Sequence, residues 1–160
     1  MYVISNTSAS YYQTAHNQNG YGGMAYYSSV TCGYNGSEGC TTDYAQSEFK
    51  YVVDAWKASE APLATEARLI TFEELTNNLG FELQQVNPST QGYKYTENTP
   101  SWAYNSNYNY WTMSPYNDSA LHVWHVDFGG KVGSNYVYNY DSVVRPVITL
   151  LKSSLEKQLN

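Results

Sequence analysis

The chain has 160 residues; 42% are hydrophobic but 16% are aromatic, with 18 Tyr and 4 Trp, and only 14% are charged. Eight Lys and Arg against fourteen Asp and Glu leave a net charge of −6, which lacks the basic footprint that phosphate backbones require and argues against a nucleic-acid partner. No apolar run approaches the roughly 18 residues of a spanning helix, so no membrane span is predicted in this chain.

The length suits one domain, taken here as residues 1–152 with 153–160 as a C-terminal tail. Abundant Tyr, Asn, Ser, Thr and Gly with few charges is the balance of a secreted or surface protein whose loops make contacts through rings, hydroxyls and amides. Cys32 and Cys40 enclose a Gly-rich loop that a disulfide could close, which would imply an oxidising compartment; two free thiols are the alternative, and zinc lacks a second ligand pair. Met1 leads directly into the strand-like Tyr2-Val3-Ile4, as expected of a domain taken from a longer chain or of a mature form with an added Met.

In chain order, Tyr2-Val3-Ile4 is a candidate first strand, and Ser8 to Tyr27 reads as Tyr/Asn/Gly-rich loop and short hairpin. The first clear helix is expected from Thr41 to about Ala58, capped by Thr41 or Thr42, with Asp43 at its positive end. Its apolar face is Ala45, Phe49, Val52, Val53 and Trp56, and Lys50 pairs with Asp54 on the polar side. Pro62 breaks the chain, and Glu66 to Ile70 leads into a second helix. Thr71-Phe72-Glu73-Glu74 forms a capping box there, and Gly80 ends the helix. Residues 84–101 read as a long polar loop.

Strand punctuation then dominates. Tyr110 to Ser114 closes at Pro115, and Ala120 to Val126 alternates His122, Trp124 and Val126 against Leu121, Val123 and His125. Gly129-Gly130 makes a hairpin turn, and Val143 to Leu150 is a buried closing strand. Two helices followed by a small antiparallel sheet give an α+β class.

These last segments carry a resemblance. Tyr110-Trp111-Thr112-Met113-Ser114-Pro115, Val123-Trp124-His125-Val126, Gly129-Gly130-Lys131 and Val144-Arg145-Pro146-Val147-Ile148-Thr149-Leu150 resemble the C-terminal half of the C-type-lectin-like fold. More narrowly they look like the branch holding formylglycine-generating-enzyme-like domains and the variable proteins of diversity-generating retroelements. Residues 40–152, including Arg68-Leu69-Ile70-Thr71 and Glu73-Glu74-Leu75, are also similar to an uncharacterised domain of Gram-positive surface and prophage proteins. The resemblance implies two helices packed on a small twisted antiparallel sheet, with the first strand pairing with the last. It also implies a signal sequence or pilin-like helix upstream in the parent protein. Trp111, Trp124, Arg145 and Pro146 are expected as frame.

Catalytic constellations come up short. His122 and His125 are three apart on one strand and face opposite sides, with His125 expected at the surface, and no carboxylate is pinned into a relay with either. Both cysteines precede the first helix, whereas formylglycine-generating enzymes use a pair near the closing strands, so that activity is not carried over. Calcium is the one cofactor that oxygen-ligand chemistry leaves open, through Asn117-Asp118 and Asn139-Tyr140-Asp141. The stronger signal is Tyr/Asn/Ser density at 104–110, 116–119 and 135–141. Tyr gives amphipathic area at low entropic cost and Asn and Ser give adaptable hydrogen bonds. A recognition module is therefore expected, contacting a protein or glycan through Tyr104, Asn107, Tyr108, Tyr116, Asn117, His125, Asn135, Tyr136 and Asn139. In the retroelement resemblance such residues are the diversified ones; codon bias toward Tyr and Asn is the alternative. A decoration domain of a pilus, tail fibre or surface array is a second reading, and an enzyme relative of the formylglycine-generating type a third.

Overall fold

The computed structural model describes residues 2–4, 42–104, 108–119, 122–136 and 142–151. The expectations for Cys32, Cys40, Asn107, Asn139, Tyr140, Asp141, the Ser8–Tyr27 stretch and the tail from 153 lie outside these residues. After strand β1 (Tyr2–Ile4), Asp43 caps a single 3-10 turn over Tyr44–Gln46, its carboxylate accepting from the Ala45 amide at 2.9 Å. Ser47 then caps α1 (Glu48–Glu60), accepting from the Lys50 amide at 3.3 Å. The helix thus begins later than the threonines at 41 and 42 suggest, because Asp43 and Ser47 each satisfy orphan amides and divide the segment in two. Phe49, Val52, Val53 and Trp56 are buried as the spacing predicts. Ala45 is exposed, and Tyr44 takes the inward place.

Glu66–Arg68, expected to lead into a helix, is strand β2, drawn into a sheet by pairing of Ala67 with Ile148. Helix α2 (Phe72–Asn77) carries the predicted capping box: Thr71 Oγ1 accepts from the Glu74 amide at 3.0 Å and Glu74 Oε2 from the Thr71 amide at 2.9 Å. Gly80 follows at φ +76°, the left-handed stop. The polar loop expected over 84–101 is instead mostly a hairpin, β3 (Phe81–Asn87) and β4 (Thr90–Tyr95). Its strands are half exposed and polar, so no hydrophobic alternation announces them. The rest is α3 (Ser101–Tyr104), β5 (Asn109–Pro115), β6 (His122–Val126), β7 (Lys131–Tyr136), β8 (Ser142–Val143) and β9 (Val147–Thr149).

The single closing strand expected over 143–150 is two strands in two sheets. β9 sits between β1 and β2 in an antiparallel three-stranded sheet, so first and last strands pair, Val3 opposite Ile148. β8 instead runs parallel to β5 at one edge of a six-stranded sheet ordered β3-β4-β7-β6-β5-β8. Pro146 cannot donate to a ladder, and Arg145 is buried with its guanidinium 5.2 Å from the Tyr110 ring centre, so the chain leaves one sheet and enters the other there. The architecture is α+β, mostly sheet.

The six-stranded sheet is packed on both faces around β5 and β6. Trp111 and Val123 meet α1 through Phe49, Val52, Val53 and Trp56; on the other side Tyr110, Val126 and Val132 meet Ile70, Leu75, Phe81 and Ala103. That two-sided burial explains why β5 and β6 read as nearly continuous apolar runs.

Candidate functional site

Alternation along β6 fixes which side chains share a face. Val126, Trp124 and His122 succeed one another on the second face, opposite Val132, Ser134 and Tyr136 of β7. The same face continues through Tyr93 opposite Val132, then Leu83 opposite Tyr93 and Gln85 opposite Gln91. Helix α2 has six residues and α3 four, and together they reach over only part of this face. Val126 and Val132 are buried beneath them, whereas Ser134, Tyr136, Leu83, Gln85 and Gln91 are exposed and His122 and Trp124 half-buried.

The open part is an aromatic row held in place from below. The Trp124 indole stacks on Phe72 at 4.3 Å and 18° and takes the Tyr116 ring edge-on at 4.8 Å. Phe72 in turn meets Tyr93 edge-on at 5.1 Å, and the His122 and Tyr136 rings lie 4.0 Å apart. Phe72 is seated by its place in the first turn of α2 and by its amide, which donates to Ser114 Oγ at 2.9 Å. Tyr116 is set by a tight turn: its amide donates to the His122 carbonyl, its carbonyl accepts from the Ser119 amide, and Asn117 and Asp118 both have positive φ, 50° and 53°. Two left-handed central residues match the twist of a hairpin, and Asn and Asp tolerate that region best after Gly.

The nine predicted contact residues therefore divide. Tyr116, Asn117 and Tyr136 meet at one end of the sheet, where β5 ends, β6 begins and β7 ends; Asn135 is at the same end but pairs with Val123, on the first face. Tyr108, 58% exposed, precedes β5 at the other end, roughly 20–25 Å away at strand rise. Tyr104 stacks on Tyr95 at 4.0 Å and 7° and packs against the second core cluster, which makes it part of the frame.

His125 is the main correction. It is buried rather than superficial, edge-on to Trp111 at 5.9 Å, with Gly133 across the ladder. The first face is covered by α1 at this point, so the side opposite His122 is interior. Burial lowers the pKa of the His125 imidazole, against the opposing pull of the Asp127 charge and a backbone bond to Gly133.

Sequence reasoning missed His122, Phe72 and Ser134 and placed Trp124 only as frame. The register was available: counting outward from Gly129 pairs 126 with 132, 124 with 134 and 122 with 136, which puts His122 beside Tyr136.

Chemically, the row offers rings and amides. Ser119 Oγ lies 3.3 Å from His122 Nδ1, but among the described residues no carboxylate hydrogen-bonds to His122, so the third member of a nucleophilic relay is not there. Nor do three or more His, Cys, Asp or Glu side chains cluster at metal-binding distance among those residues.

The family model described as a domain of unknown function, DUF6273, matches residues 29–152. The chain belongs to the DUF6273 family. The match spans every described element from the 3-10 turn to β9, and so all of the aromatic row. No curated protein and no solved structure matches this DUF6273 chain.

Proposed function

We propose that this DUF6273 domain is a recognition module of C-type-lectin-like fold, displayed outside the cell, that binds a protein or glycan on the open half of its six-stranded sheet. One observation carries the reading: the Tyr116, Trp124 and Tyr136 rings are held against neighbouring rings, yet Tyr136 remains 43% exposed and Trp124 half-buried, beside exposed Ser134 and Asn117. Pre-ordered rings bind without losing rotamer freedom, and neighbouring hydroxyls and amides supply adaptable hydrogen bonds. A row of part-exposed side chains along a sheet suits a macromolecule better than an enclosed small ligand. Tyr116, Asn117, His122, Trp124, Ser134 and Tyr136 are the assigned contacts; Asn135, on the opposite face, is not among them, and Tyr104 and His125 belong to the frame. The pairing of the N-terminal strand with β9 supports the lectin-like reading. Whether the site is diversified is tested in the neighbouring DNA, by a reverse transcriptase and an imperfect repeat of codons 102–145.

The functional test is binding of the purified chain to immobilised arrays of glycans and of extracellular proteins. Tyr136→Ser is expected to weaken the strongest interaction at least about tenfold, the scale of one interface anchor. Tyr51→Ser, on the exposed side of α1, is expected to leave it unchanged. Equal binding by wild type and Tyr136→Ser would refute the assignment.

A further inference from the structure

Away from the aromatic row, a cleft of about 340 Å³ opens where α2, α3 and β9 meet, lined by Ile70, Glu74, Asn78, Leu79, Trp102 and Val147. That volume is at the lower end of small-molecule sites, which span roughly 300–1,000 Å³. Its lining is mixed in a way that narrows the ligand. Ile70 and Val147 are almost fully buried and give it an apolar floor, and Trp102, 37% exposed, gives it an aromatic wall. Glu74 and Asn78, four apart, share one side of α2 and its C-cap.

We infer that this cleft binds a neutral, polyhydroxylated ring such as one residue of a sugar, with the ring's C–H face against the Trp102 indole and its hydroxyls on Glu74 and Asn78. The inference goes beyond the recognition reading and stands on separate residues. The Glu74 carboxylate takes Arg68 through two nitrogens, at 2.6 and 2.8 Å, and the Thr71 amide at 2.9 Å. The Arg68 charge cancels its own, so a cationic ligand gains little. Oε2 is filled by Arg68 and the Thr71 amide, whereas Oε1 takes Arg68 alone and keeps a lone-pair site for a hydroxyl donor. The Asn78 side-chain amide, exposed at the rim, offers a donor and an acceptor together. A purely apolar ligand would strip water from both polar groups and return nothing.

The test is titration of the full chain with glucose, galactose, mannose and N-acetylglucosamine into the millimolar range. It is followed by the Trp102 indole N–H resonance, assigned by its loss in Trp102→Leu. At least one sugar is expected to shift it saturably. Asn78→Ala is expected to weaken that sugar about tenfold, the equivalent of one hydrogen bond, and Tyr136→Ser to leave it unchanged. No saturable shift with any of the four, or a shift with toluene alone, would overturn the inference. So would a sugar shift abolished by Tyr136→Ser, because the sugar would then sit on the aromatic row.

Discussion

At the scale of single residues, Gly130 has the tightest surroundings of the described glycines. Its φ is +72°, and a Cβ there would lie 2.5 Å from the Tyr95 ring and 2.9 Å from Tyr104 Cβ. Gly130→Ala therefore combines left-handed strain with overpacking against two stacked tyrosines. It is expected to cost about 2–4 kcal/mol in chemical denaturation. His125 sets a pH dependence of definite sign. Its folded pKa lies below the ordinary 6.5 because burial disfavours the charged ring. The unfolded chain therefore takes up the proton first as pH falls, and the stability present above 6.5 is lost on acidification through the folded value. Glu74 acts lower. Partial burial pushes its carboxyl up, but Arg68 and the Thr71 amide and hydroxyl outweigh that and hold it below 4.5. Its contribution is present above 4.5 and is lost as pH falls through the folded value. Denaturation midpoints measured against pH should fall in two windows, and His125→Gln should flatten only the upper one.

At the scale of elements, legibility followed how much of each signal was local. The capping box at Thr71–Glu74 and the turns at Gly80 and Gly130 are short-range devices, and each appears where the sequence places it. Thr71→Ala is expected to cost about 1 kcal/mol, the usual value of an N-cap, read as a shift in the denaturation midpoint. By contrast β2 became a strand because β9 offers it a partner 80 residues away, which nothing in Glu66-Ala67-Arg68 announces. The β3–β4 hairpin escaped notice because Gln84, Gln85, Gln91 and Lys94 carry no apolar period. The split at Arg145-Pro146 was half legible. Proline forbids a ladder bond, but only the Tyr110 ring beneath Arg145 shows why the chain turns inward there.

For the whole molecule, the decisive fact is that, among the described residues, α2 and α3 cover only part of the second face of the six-stranded sheet. Burial of β5 and β6 on both sides could be inferred from their apolar runs. That α2 and α3 stop partway across the second face could not, because helix length and sheet width are set by different segments. Trp124 sits at that boundary, stacked on Phe72 below and touched by Tyr116 beside it. Trp124→Ala is expected to cost about 3 kcal/mol of stability, whereas Tyr136→Ser should cost less than about 1 kcal/mol, since a half-exposed ring leaves little cavity. The most direct test maps the first ligand recovered from the arrays by chemical-shift perturbation of the labelled chain. Shifts are expected to concentrate on 116–119, His122, Trp124, Ser134 and Tyr136. Shifts confined to the outer side of α1 or to the surroundings of Tyr108 would contradict it.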